Sequence, residues 1–185
     1  VILTWANLLT LLRIALIPVL VAVFMMERTW SPLASCAIFA LAGVTDWFDG
    51  YIARRFNESS AFGRFLDPVA DKLIVATSLL LLLSRETTTW MTLAVIIIVG
   101  REITISALRE WMAEMGRAKH VAVSFVGKVK TTMQMLAIGF MLFRNPLGQF
   151  DVYGAGVAML VLAAGLTLWS MCMYLLAAWP ELKRA

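Results

Sequence analysis

Long apolar runs broken by short polar clusters organise the chain. Runs close to the 17 to 25 residues that carry a helix across a bilayer fall at 8–26, 33–53, 66–84, 90–110, 130–145 and 153–178. The breaks are Glu27 to Pro32, RRFNESSAF from Arg54, RETTT from Arg85, the segment 116–127 and Arg144 to Asp151. This alternation predicts six transmembrane helices with little chain left over. Pro32 suits the first turn of the second helix, and Ser59 or Ser60 can cap the third. Pro18 is expected to kink the first, Trp5 and Trp90 to sit at the interface, and Arg13 to snorkel to the headgroups. The fourth run is apolar to Val99. GREITISALREWMAEMGRAK then keeps helical spacing with charges on one side, which predicts a helix leaving the bilayer. GKVKTT opens the fifth helix, and the sixth, uncharged from Val152 to Pro180, reads as scaffold. Gly154, Gly156 and Gly165 are expected to let it approach a neighbour closely.

Composition agrees with that pattern. Of 185 residues 61% are hydrophobic and 15% charged, against about 25% charged in soluble domains, and the mean hydropathy is +0.83. The expectation is an all-α polytopic membrane protein, a six-helix bundle forming one domain over residues 1–185. The first apolar run has neither a basic n-region nor a small-residue cleavage site, so no removable signal peptide is expected. Cys36 and Cys172 fall within spans and read as packing residues. The formal charge of +4 does not imply nucleic acid, because loop cations already follow from membrane topology. Sorted among the loops, thirteen of the 16 Lys and Arg residues fall on one side and only Arg28, Arg85 and Arg144 on the other. That asymmetry places both termini in the cytoplasm, with the polar stretch after the second run on the same side.

That stretch, GVTDWFDGYIARRFNESSAFGRFLDPVADK, holds four aspartates where a carboxylate is costly. Residues three or four apart share a helix face, so Asp46, Asp49, Gly50 and Ala53 form one stripe and Gly63, Asp67 and Asp71 another. If the two helices are antiparallel neighbours, the stripes face each other across a groove at the cytoplasmic membrane surface. Carboxylates gathered at low dielectric need protons or cations. Oxygen donors without His or Cys suit a hard ion such as Mg2+ or Mn2+. The small residues leave room for a bulky phosphorylated ligand, and Arg54 adds charge beside it. Helix capping or pairing with Arg54, Arg55, Arg64 and Lys72 would account for one aspartate more readily than for four. A proton or ion pathway also places acids in spans, yet the fifth and sixth helices offer no acidic relay. His120 lies in a loop and is given no catalytic role. Glu102, Glu110 and Glu114 are expected to pair along their own helix with Arg109, Arg117 or nearby residues.

Asp46-x2-Asp49-Gly50-x2-Ala53-Arg54-x8-Gly63-x3-Asp67-x3-Asp71 resembles, without a departure, the signature of the CDP-alcohol phosphotransferases. NLLTLLR, REITISALREWMAE, VGKVKT and LTLWSM extend the resemblance along nearly the whole chain, toward members whose acceptor is sn-glycerol 3-phosphate. The resemblance implies transfer of a phosphatidyl group from CDP-diacylglycerol to an alcohol with release of CMP, at the bacterial cytoplasmic membrane and in a homodimer. It implies divalent metal at Asp46, Asp49 and Asp67 with Asp71 close by, Asp71 as general base, and a CDP site at Gly50, Ala53, Arg54 and Gly63. For the acceptor's phosphate the available cations on that side are Arg101, Arg109, Lys128 and Lys130. Inositol phosphate, serine or phosphatidylglycerol would be the acceptor in sister enzymes.

Overall fold

The computed structural model describes residues 5–56, 61–114 and 125–182. They form six helices: α1 Trp5–Met25, α2 Ser31–Phe56, α3 Ala61–Arg85, α4 Thr89–Glu114, α5 Phe125–Phe143 and α6 Val152–Leu182. Each covers one predicted apolar run, and no strand occurs among the described residues. Glu27 takes a left-handed conformation at φ 50° just beyond α1. The Arg28 amide then donates to Ser31 Oγ at 3.0 Å, and Ser31 N to Arg28 O at 3.0 Å, closing the turn into α2 with Pro32 in its first turn. Asp151 Oδ1 accepts from Gly154 N at 2.9 Å and so caps α6. Ser59 and Ser60, the expected caps of α3, lie outside the described residues, as does His120. Helix α1 runs through Pro18, and α3 through Pro68, which sits between the two aspartates of that helix.

The helices close into a ring. α1 packs on α2 and α3, α2 on α5, α5 on α6, α6 on α4, and α4 on α3. One core joins them, with Leu20 and Phe24 from α1, Phe39 from α2, Leu79 from α3, Ile98 from α4, Ile138 from α5 and Leu160 from α6. The α5–α6 contact is close because of Gly156, where a Cβ would lie 2.8 Å from Met141 Cγ and 3.0 Å from Ala137 O. Gly165 has open space around it and Gly154 belongs to the cap, so only the middle glycine serves the close approach expected of all three.

Polar and apolar positions are arranged opposite to a water-soluble bundle. Leu12, Leu33, Leu80, Ile96, Ile103, Leu162 and Trp169 are exposed, while Asn7, Thr10, Arg13, Arg101, Lys130 and Gln134 are buried. A surface of that kind is stable against lipid. By length and composition Asn7–Met25, Thr89–Met112 and Val152–Met173 can each cross a membrane, and Ser31–Asp46 and Val129–Phe143 are shorter apolar helices. The molecule is an all-helical membrane protein. α3 is more polar, with Asp67, Asp71 and Lys72 in its first half and Arg85 at its end.

At the end of the bundle opposite the aspartates, Arg85 is built into the structure. Arg85 Nη2 donates to the Phe24 carbonyl at 2.6 Å, lies over the Phe24 ring at 4.0 Å and approaches Glu27 at 3.7 Å. It satisfies an end carbonyl of α1 that no helical amide reaches.

Candidate active site

Asp46 stands near the end of α2's apolar part, and Asp67 and Asp71 stand on the first turns of α3. The sequence expectation is that, if these two helices are neighbours, their stripes face each other across a groove. In the structure α2 and α3 touch each other and both pack more extensively on α1, and their carboxylates meet on its polar stripe. Thr10 Oγ1 donates to Asp67 Oδ1. Arg13 Nη1 donates to Asp71 Oδ1 and lies 3.2 Å from Asp46 Oδ1. The Arg13 side chain is 1% exposed, against 49% for Asp46 and 45% for Asp71. So Arg13 does not snorkel to headgroups. A buried guanidinium needs paired charge, and two carboxylates supply it. Thr10 and Arg13 are the site residues that the pattern alone does not single out. The available signal is spacing, since Asn7, Thr10 and Arg13 recur every three residues on an otherwise apolar helix and all three are buried.

Gly63 is buried on α3. Asp49, Gly50, Ala53 and Arg54 lie on α2 beyond Asp46, Arg109 on α4 and Lys128 at the start of α5, but their side chains fall outside what is described.

A cavity of about 580 Å³ opens between α3, α4 and α5. Asp67, Asp71 and Lys72 form one wall, Arg101 and Glu102 a second, and Thr131 and Gln134 a third. The acid cluster and one of the predicted phosphate-binding cations therefore border the same space. Arg101 Nη1 donates to Glu102 Oε1 at 2.5 Å, and Lys130 Nζ lies 3.5 Å from that oxygen. Glu102 thus pairs with its neighbour Arg101 and with Lys130 of α5; the Arg109 side chain and Arg117, its expected partners along α4, lie outside what is described. Arg101 Nε, fully buried, has no hydrogen bond among the described residues. A second groove of about 570 Å³ runs between α2 and α5 from Asp46 to Cys36, walled by Phe39, Gly43, Val44, Met135 and Gly139.

The donor set bears on a metal. Among the described residues no three acidic, His or Cys side chains stand close enough to hold an ion by themselves, and Asp49, one turn beyond Asp46, is not among them. The donors that do converge are all carboxylate or hydroxyl oxygens. Asp46 and Asp71 already address a single positive atom, Arg13 Nη1. Such chemistry fits a hard divalent ion and disfavours zinc.

Comparison with known proteins gives the same direction. The family model for CDP-alcohol phosphatidyltransferase matches residues 3–173. Over 176 residues, 95% of this chain and 95% of the relative, the sequence is 53% identical to CDP-diacylglycerol--glycerol-3-phosphate 3-phosphatidyltransferase of Escherichia coli (strain K12). The proteins of the same name from Salmonella choleraesuis (strain SC-B67) and Shigella flexneri serotype 5b (strain 8401) are 52% and 53% identical over the same shares. The chain belongs to the CDP-alcohol phosphatidyltransferase family.

Proposed function

We propose that the protein transfers the phosphatidyl group of CDP-diacylglycerol to sn-glycerol 3-phosphate, giving phosphatidylglycerophosphate and CMP in phospholipid biosynthesis. The observation that carries this reading is the cavity that Asp67 and Asp71 share with Arg101, in a chain 53% identical to an enzyme bearing that name. Asp71 takes the proton from the acceptor hydroxyl. The hydroxyl oxygen then bonds to the phosphatidyl phosphorus as the bond from that phosphorus to the CMP oxygen breaks. Asp46, Asp49, Asp67 and Asp71 would hold a divalent ion, Mg2+ or Mn2+. When bound, the ion neutralises the diphosphate and the charge on departing CMP. Gly50, Ala53, Arg54 and Gly63 line the nucleotide site. Arg101 and Lys130, with Arg109 and Lys128, attract the acceptor's phosphate; a guanidinium fork matches its oxygens.

The apolar groove between α2 and α5 supports a place for the acyl chains. It starts at Asp46 and descends ten residues of α2, about 15 Å at 1.5 Å per residue, so a lipid can present its diphosphate to the aspartates while its tails stay in the bilayer. The active site then faces the cytoplasm, both termini lie there, all six helices cross the cytoplasmic membrane, and the chain forms one domain that pairs as a homodimer.

Purified protein in detergent micelles with CDP-diacylglycerol and a divalent ion is expected to release CMP only when glycerol 3-phosphate is added, and to stop on chelation. Preference for inositol phosphate, serine or phosphatidylglycerol in a panel of acceptors would overturn the choice of acceptor. Release without any acceptor would overturn the transfer itself.

A further inference from the structure

Arg101 of the cavity wall and Lys130 behind it converge on a single oxygen of the protein's own. Arg101, 8% exposed, and Lys130, fully buried, stand 2.5 Å and 3.5 Å from Glu102 Oε1. Glu102 lines the cavity that Asp67 and Asp71 border, and Lys130 does not belong to that wall. An anion arriving from the cavity therefore meets Glu102 where the two positive charges come together. The glutamate side chain is 31% exposed and has the cavity to swing into.

On the functional reading above, we infer that Glu102 is a specificity-determining residue: its carboxylate occupies the acceptor's anion position and gives way only to a doubly charged phosphate. The physical ground is an exchange. Withdrawing a carboxylate from two buried cations is costly, so between turnovers Glu102 helps to hold the site together. A ligand must replace those contacts. A phosphate monoester brings two charges and three oxygens and forms stronger charge-assisted bonds than one carboxylate. A free monocarboxylate offers nothing that Glu102 does not already provide, and Glu102 competes from within the chain at high effective concentration. Neutral alcohols cannot displace it. Discrimination of this kind rests on an element that opposes the wrong ligand as much as on one that attracts the right ligand.

The test is Glu102→Gln, which keeps the side chain's size and removes its charge, with glycerate as probe because it pairs a similar polyol with a single carboxylate. The KM for glycerol 3-phosphate is expected to fall by roughly fivefold, the ratio that about 1 kcal/mol of lost competition produces, with kcat within about twofold. Glycerate is expected to be inert toward the natural protein and a competitive inhibitor of the variant. A KM that rises or stays put, with glycerate still inert, would overturn the inference. Glu102→Asp withdraws the carboxylate from Lys130 by one methylene and is expected to lower KM by a smaller factor, which keeps the question answerable if the first variant folds poorly. Calorimetric binding of glycerol 3-phosphate without any CDP-lipid separates the two readings. Tighter binding by the Gln variant in a protein that transfers nothing would uphold the anion site and sink the transferase reading. Equal binding by an active pair would do the reverse.

Discussion

Arg13 is a full positive charge with almost no exposed surface, and it is tolerated there because Asp46 of α2 and Asp71 of α3 both face it. Without Arg13 the two half-exposed carboxylates would face one another with no cation between them, and α1 would lose its tie to α2 and α3. Arg13→Ala is therefore expected to lower the unfolding midpoint in detergent and to reduce CMP release by more than about tenfold, whereas Arg13→Lys, with charge but no fork, recovers part of both. Wild-type rates from the Ala variant would contradict the arrangement. The aspartates were legible in the sequence because acid at three- and four-residue spacing stands out against apolar runs. Arg13 was equally visible as a charge in oil, but nothing local says whether a residue on α1 turns toward lipid or toward two other helices. Glu102 shows the same limit: helical spacing offers partners along α4, and the actual second partner, Lys130, comes from α5 by tertiary packing.

Helices were the most legible elements. All six apolar runs became helices with ends shifted by a few residues, because long apolar stretches bounded by Ser, Pro, Asn and Gly allow little else. Their order around the ring was not legible, since neighbours in sequence need not be the closest pairs in space; α3, which packs more extensively on α1 than on α2, is the clearest instance. The glycines of α6 illustrate how packing decides what spacing cannot. A side chain at Gly156 would press on Met141 and on the Ala137 carbonyl, while Gly165 faces open space. Gly156→Val is expected to destabilise the protein by about 1–3 kcal/mol through overpacking, and Gly165→Ala to leave it within about 0.5 kcal/mol; thermal unfolding in detergent distinguishes them. A second element-scale prediction concerns the α2–α5 groove. At Gly43 even a Cβ would come within 3.3 Å of Met135 Cε, so Gly43→Leu narrows the passage. Turnover of long-chain CDP-diacylglycerol is expected to fall severalfold more than that of a short-chain analogue. An equal loss on both would remove the groove from the lipid's path.

At the scale of the whole molecule, the protein is a bundle that turns apolar side chains outward and keeps its few charges on one end of its interior. Arg13, Asp46, Asp67, Asp71, Arg101, Glu102 and Lys130 belong to five different helices, yet they border or back a single cavity. Their joint placement makes a polar reaction possible beside a lipid phase, since both tails and headgroup have somewhere to go. The claim at the centre of this account is that Asp71, within that cavity, activates the acceptor. Asp71→Asn measured at saturating CDP-diacylglycerol and glycerol 3-phosphate tests it most directly. CMP release is expected to drop about 10²- to 10⁴-fold, the usual contribution of a general base, in a protein whose unfolding midpoint shows it still folded. Retention of most of the turnover by that folded variant would contradict the account.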